Sequence, residues 1–208
     1  TATFNYIVDR YELLRNYKNN SSVFAEIDKV ISEIQSNSDL QITEFSITGY
    51  ASPEGGFEHN RKLAENRANS LANYLVTKFG VARNKFTVQS FGEDWDGLRK
   101  AIEVSTLIDR QSVLNIIDKV SNPDARDAEL LKLSNGDIYK ALLNNYYPLL
   151  RRTEYIIAYV VRAFNVEEAR KIIKTNPKLL SLNEMYLVAE SYPPNSKEFK
   201  EVFDIAVR

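Results

Sequence analysis

Apolar and polar residues alternate at the start of the chain, with Ala2, Phe4, Tyr6 and Val8 set against Thr3 and Asn5. A period of two marks a half-buried strand. Polar residues 11–20 follow as a link. Ser21-Ser22 is placed to cap a helix whose Phe24, Ile27, Val30, Ile31 and Ile34 share one face, and Asn37-Ser38 breaks it. Residues 41–50 read as a second strand, with Phe45 and Ile47 on one side and Glu44 and Ser46 on the other. A helix over residues 60–79 carries Leu63, Ala64, Ala68, Leu71, Ala72, Leu75 and Phe79 as a core-facing stripe and ends at Gly80, a C-cap residue. Residues 86–91 form the third strand. The order β-α-β-α-β makes two crossover units, right-handed and parallel where strands are neighbours, with both helices on one face of the sheet.

Residues 94–150 then read as three or four helical pieces, punctuated by Asn122-Pro123 and Asn135-Gly136. A fourth strand, 152–161, is apolar on both sides from Tyr155 onward. That pattern predicts a central strand covered on each face, the inserted helices closing the face that the crossover helices leave open. From Val166 to Arg208 the period is helical again, divided by Pro177 and Pro193-Pro194. The last two pieces resemble a tetratricopeptide helix pair in Ala189, Tyr192, Phe203 and Ala206, without the consensus Trp and Gly.

The composition narrows the chemistry. The chain has 208 residues, 44% hydrophobic and 26% charged, with a net charge of −1. This supports a real core and provides no basic field for nucleic acid. No run of 18 apolar residues appears, so no direct membrane insertion by this fragment is expected. With no cysteine and a single histidine, His59, thiolate metal sites, disulfides and a Cys nucleophile drop out. Ser52 with His59 invites a hydrolase reading, but the sequence lacks a G-x-S-x-G elbow, and a triad is identified by geometry and not by nearness in sequence. No enzyme and no cofactor or metal are expected. The chain is read as a piece of a longer exported protein.

The stretch from Ile47 to Ala68 holds the candidate site. Ser52-Pro53-Glu54-Gly55-Gly56 supplies a tight turn between strand and helix. Arg67 lies on the margin of the apolar stripe and Asn60 falls on the same face, seven residues earlier. Two readings stand side by side. Arg67 lays its methylenes over apolar neighbours and Asn60 caps the helix, or the two groups line a small ligand pocket at the loop.

Gly49-Tyr50-Ala51-Ser52, Gly55, and then Asn60, Leu63, Ala64, Arg67 and Ala68 resemble the OmpA C-terminal-like family of periplasmic peptidoglycan-binding domains. The likeness continues through Tyr74-Leu75, Gly80-Val81, Lys85-Phe86 and Phe91-Gly92-Glu93, and resumes at Arg151-Arg152-Thr153-Glu154. It spans roughly the first 160 residues, with one long interruption. The resemblance implies an α+β fold: an OmpA C-terminal-like β-α-β-α-β-(helical insertion)-β sandwich of helices on a mixed sheet, then C-terminal helices. It divides the chain into an OmpA-like domain over 1–162, with its insertion at 94–150, and a tetratricopeptide-like start over 163–208.

It further implies a non-enzymatic periplasmic module, associated with the outer membrane, that anchors its parent to peptidoglycan and meets envelope protein partners. In that family a loop Asp and a helix Arg hold diaminopimelate in the stem peptide, an anion facing the amine and a planar fork facing the carboxylate. Arg67 matches the Arg. Ser52 stands at the Asp position, and losing the charged partner of a desolvated pair costs about 2–5 kcal/mol. Glu54, two residues on, restores the charge if the turn brings it inward. The ligand-binding set is therefore Ser52, Glu54, Asn60 and Arg67. Arg152 is either a further ligand group or one half of a charge pair with Glu154. The alternative is a protein-interaction scaffold that keeps the fold and has lost the ligand.

Overall fold

The structure, a computed structural model, describes residues 3–207 and is α+β. It separates into two compact units, residues 3–36 with 42–158, and residues 37–41 with 159–207. One four-stranded mixed sheet has the order β1-β4-β2-β3, from β1 (Thr3–Asn5), β2 (Leu40–Ala51), β3 (Phe86–Glu93) and β4 (Arg152–Val161). β1 pairs antiparallel with β4, and β2 pairs parallel with β3, as crossover units require.

α1 (Asn20–Ser36) and α2 (Phe57–Phe79) cover one face of the sheet together. Phe24 of α1 packs edge-on to both Phe4 of β1 and Tyr74 of α2, at 4.8 Å between ring centroids in each case. Phe45 and Ile47 are wholly buried beneath, and Leu71 and Leu75 of α2 match them. Each such side chain contributes about 1.5–3 kcal/mol by leaving water. α2 ends as its sequence predicts, with Gly80 in the left-handed region (φ 64°) and its N–H bonded to Val76 O.

Several expectations need correction. Ala2 lies outside the described residues, and β1 ends at Asn5, short of Val8, with Tyr6 N still bonded to Arg151 O at 2.9 Å in the same register. Ser21-Ser22 lies inside α1 and does not cap it. Asn20 is the buried polar residue at that end, taking Asn5 N at 2.8 Å and donating to Asn5 O and Leu14 O. α2 begins three residues before Asn60, so Asn60 is not a cap.

The insertion holds the larger surprise. It forms α3 (Trp95–Glu103), α4 (Arg110–Lys119), α5 (Pro123–Lys132), α6 (Asp137–Ala141) and α7 (Tyr147–Leu150). Its apolar residues pack on one another around Leu98, Ile102, Val113, Leu130, Leu142 and Tyr147. Having satisfied itself, the insertion leaves the outer face of β4 uncovered: Ile156 is 64% exposed. The strand is central, as its apolar run predicts, but not covered on both faces. Between α6 and α7 the helix widens to π geometry over Leu142–Tyr146. Pro148 accounts for this, since its ring has no N–H and would strike the carbonyl four residues back in a regular helix.

In the second unit, α8 (Val166–Thr175), α9 (Leu182–Glu190) and α10 (Lys197–Ala206) enclose Phe164, Ile173, Val188 and Val202. Asn165 with Glu168 and Ser181 with Glu184 each close a capping box, satisfying otherwise free N–H groups at the starts of α8 and α9. No helix of the described residues is long and apolar enough to cross a membrane.

Candidate functional site

The turn after β2 folds back over the start of α2, and a crevice of about 240 Å³ opens there. Three of the five predicted residues, Ser52, Glu54 and Asn60, line it together, alongside Val8, Asp9, Gly55, His59 and Leu63. Gly55 makes the turn possible with a φ of 99°. Asn60 holds the turn from below, its Nδ2 donating to Glu54 O at 3.0 Å and to Glu93 Oε1 at 2.8 Å. Trp95 Nε1 donates to the other oxygen of Glu93 at 2.8 Å. Burial raises the Glu93 carboxyl above its ordinary pKa against the lowering pull of those two donors.

Two residues from beyond β3, Asp124 and Arg151, hold the same loop. Gly56 offers no capping side chain, and Asp124 of α5 takes its place, accepting Phe57 N at 2.8 Å. Arg151, immediately after α7, donates its Nε to Ser52 Oγ and to Glu54 Oε1, both at 3.0 Å, and pairs with Glu54 through Nη2 as well. The pair is largely out of water, with side chains 9% and 17% exposed. Glu54 Oε2 is buried with no hydrogen-bond partner among the described residues.

Arg67 is elsewhere. It is wholly buried and does not line the crevice. Each guanidinium nitrogen donates to a backbone carbonyl: Nε to Arg10 O at 2.9 Å, Nη1 to Tyr50 O at 2.9 Å and Nη2 to Ile7 O at 3.1 Å. Burial pulls its pKa down to about 10, with the nearby Arg151 adding to that fall and Tyr6 and Glu54 opposing it. Both earlier readings of Arg67, a snorkelling margin residue and a pocket group, give way to a structural tie. Arg152 points to the opposite face of the sheet. There it pairs with Asp94 and with Glu154 Oε1 at 2.8 Å, and its guanidinium lies 4.0 Å over the Tyr50 ring.

Sequence reasoning missed Asp9, Arg151 and the crevice position of His59. Asp9 sits in a left-handed turn (φ 54°), and its Oδ1 meets His59 Nε2 at 2.6 Å. Nothing in local periodicity brings residue 9 to residue 59. Arg151 was legible, because side chains alternate along a strand and the inward set contains Thr153, not Arg152. Among the described residues no group of acids and His59 is arranged to hold a metal ion.

Known proteins resemble this chain in part. A curated relative, outer membrane protein A of Buchnera aphidicola subsp. Schizaphis graminum, is 39% identical over 49 residues, 24% of this chain. The match spans only 14% of that relative's length. Among solved structures, the peptidoglycan-associated lipoprotein from Burkholderia pseudomallei aligns at 14% identity with a TM-score of 0.41, over 76% of this chain and 91% of that one. The C-terminal domain of Helicobacter pylori MotB aligns at 13% identity with a TM-score of 0.37, over 93% of this chain and 99% of that one. Residues 17–104, from just before α1 through α3, match the family model of the OmpA family.

Proposed function

We propose that the chain is a non-enzymatic cell-envelope module that docks its parent protein to peptidoglycan from the periplasmic side of the outer membrane. On this reading residues 1–162 form the binding domain and 163–208 a separate helical segment. The crevice carries the proposal. It lies where the turn of the OmpA-matching segment meets α2, and Ser52, Glu54 and Asn60 converge on it. Its volume of about 240 Å³ is below the roughly 300–1,000 Å³ of sites that engulf a drug-sized molecule. It suits one amino-acid end group of a stem peptide, such as the diaminopimelate side chain, and not a whole glycan.

Ser52 and Asn60 shape the pocket, Glu54 supplies its charge, and Arg67 supports the fold around it without touching the guest. Purified sacculi test the proposal. The wild-type chain should sediment with them and be displaced by soluble diaminopimelate-containing stem peptide, and Glu54→Gln should sediment at least several-fold less. Failure of the wild type to sediment would remove the glycan reading.

A second reading is favoured by the three carbonyls that occupy Arg67: a scaffold with the OmpA-like fold that has given up its ligand and serves envelope protein partners. That reading is the one left standing if sacculi do not retain the chain.

A further inference from the structure

The far end of β4 is an open edge. In the sheet β4 lies between β1 and β2, and β1 pairs with it only from Arg152 to Glu154. Among the described residues no strand runs beside residues 157–161 on that side. Two backbone bonds fix which groups face outward. Tyr6 N donates to Arg151 O, so the odd-numbered residues of β4 turn their N–H and C=O toward the β1 side. Just past the strand, Arg162 N donates to Asp39 O, so the even-numbered residues turn toward the β2 side. Ile157, Tyr159 and Val161 therefore present donors and acceptors along the open edge. Natural edges are blunted by lysine, proline or a bulge. Residues 155–161, Tyr-Ile-Ile-Ala-Tyr-Val-Val, carry no charge, no proline and no glycine. Tyr159 and Val160, on opposite sides of the strand, are 52% and 47% exposed.

Such an edge takes a second extended strand, apolar on both sides, and another copy of β4 is one. Two identical strands pairing antiparallel are related by a two-fold axis, so a single segment supplies both halves of a closed interface. With Tyr159 opposite Tyr159, Ile157 meets Val161, and each of these edge-facing pairs exchanges two backbone hydrogen bonds. The side chains brought together are aromatic on aromatic and β-branched on β-branched, and this register stops short of β1. No like charges meet. Arg162, tied to Asp39 and Glu168, comes opposite Ile156, and a net charge of −1 leaves two copies little to repel. We infer that residues 157–161 of β4 form a homodimer interface, joining two copies antiparallel about Tyr159 into one continuous sheet.

The contact is short beside the roughly 800 Å² per partner of a standard stable interface, so the dimer should be weak and concentration-dependent. Sedimentation velocity on the full chain should show monomer at about 5 μM and mostly dimer by about 1 mM. Tyr159→Lys sets two cations face to face and should raise the dimer dissociation constant at least about tenfold. At low concentration that variant should melt with the wild type, because residue 159 is half exposed. Oxidation reads the register separately. The chain has no cysteine, and a hydrogen-bonded antiparallel pair holds its Cα atoms about 5.5 Å apart, within reach of a disulfide. Tyr159→Cys should cross-link into a dimer, and Ile157→Cys, which faces Val161 and not its own copy, should not. Equal cross-linking of the two, or a dimer that Tyr159→Lys leaves intact, would overturn the inference. A wild-type chain that stays monomeric throughout would also overturn it and leave the edge to a strand of another protein.

Discussion

A guanidinium that water never reaches is the least expected feature at the scale of single residues. Arg67 ties the segment after β1, through Ile7 and Arg10, to the end of β2, through Tyr50. It also lies 5.3 Å from the centre of the Tyr6 ring, whose hydroxyl donates back to Arg67 O at 3.1 Å. Carbonyl dipoles and an aromatic face offset the cost of burying the charge without an acid. The sequence placed Arg67 correctly at the margin of the α2 stripe. What closes that margin comes from residues 7–10, remote in the chain, which helical periodicity cannot see. Arg67→Ala should therefore act on stability. Each carbonyl left buried and unpaired costs roughly 1–3 kcal/mol, so a loss of at least about 3 kcal/mol is expected in urea titrations. A variant as stable as wild type would return Arg67 to the ligand.

The seat of α2 on β2, an element-scale feature, decides whether the crevice exists. Gly49 makes that seat possible: a Cβ built there would stand 1.9 Å from Ala64 O and 3.2 Å from Ala68 Cβ. The nearest atom is helix backbone, which cannot swing aside as a side-chain tip would. Gly49→Ala should push α2 off the sheet, destabilise the chain by about 2 kcal/mol or more, and weaken sacculus retention together with stability. An unchanged melting temperature would mean that the helix sits farther out than described. The strands and both crossover helices were legible because one buried face leaves a clear period in each. The destination of the insertion was not. Leu98, Ile102, Val113 and Leu142 show that those helices bury something, and an apolar stripe looks the same whether it faces a sheet or its neighbours.

On the scale of the whole molecule, the helices between β3 and β4 carry a pH-sensitive contact. Asp127 of α5 accepts Tyr139 Oη at 3.0 and 3.1 Å, and burial lifts its carboxyl to about 6, against the lowering effect of that bond and with Glu93 and Glu54 adding to the rise. Glu93, at the end of β3, is raised as well. A carboxyl whose pKa is higher folded than unfolded binds its proton more tightly in the native state. Its stabilising contribution is complete below the unfolded value, near 3.9 for Asp, and is lost as pH rises through the folded value. Acids held low by partners, such as Asp118 beside Arg99, act in the opposite sense and only at more acid pH. Urea stability of the chain should therefore fall between pH 4.5 and 7.5, where most globular proteins hold steady or gain. Asp127→Asn keeps the side-chain shape and removes the proton exchange, so it should flatten most of that slope and stabilise the protein at pH 7.5. A slope unchanged by Asp127→Asn would assign the titration to Glu93, where the same measurement on Glu93→Gln would find it, beneath the turn that Asn60 holds.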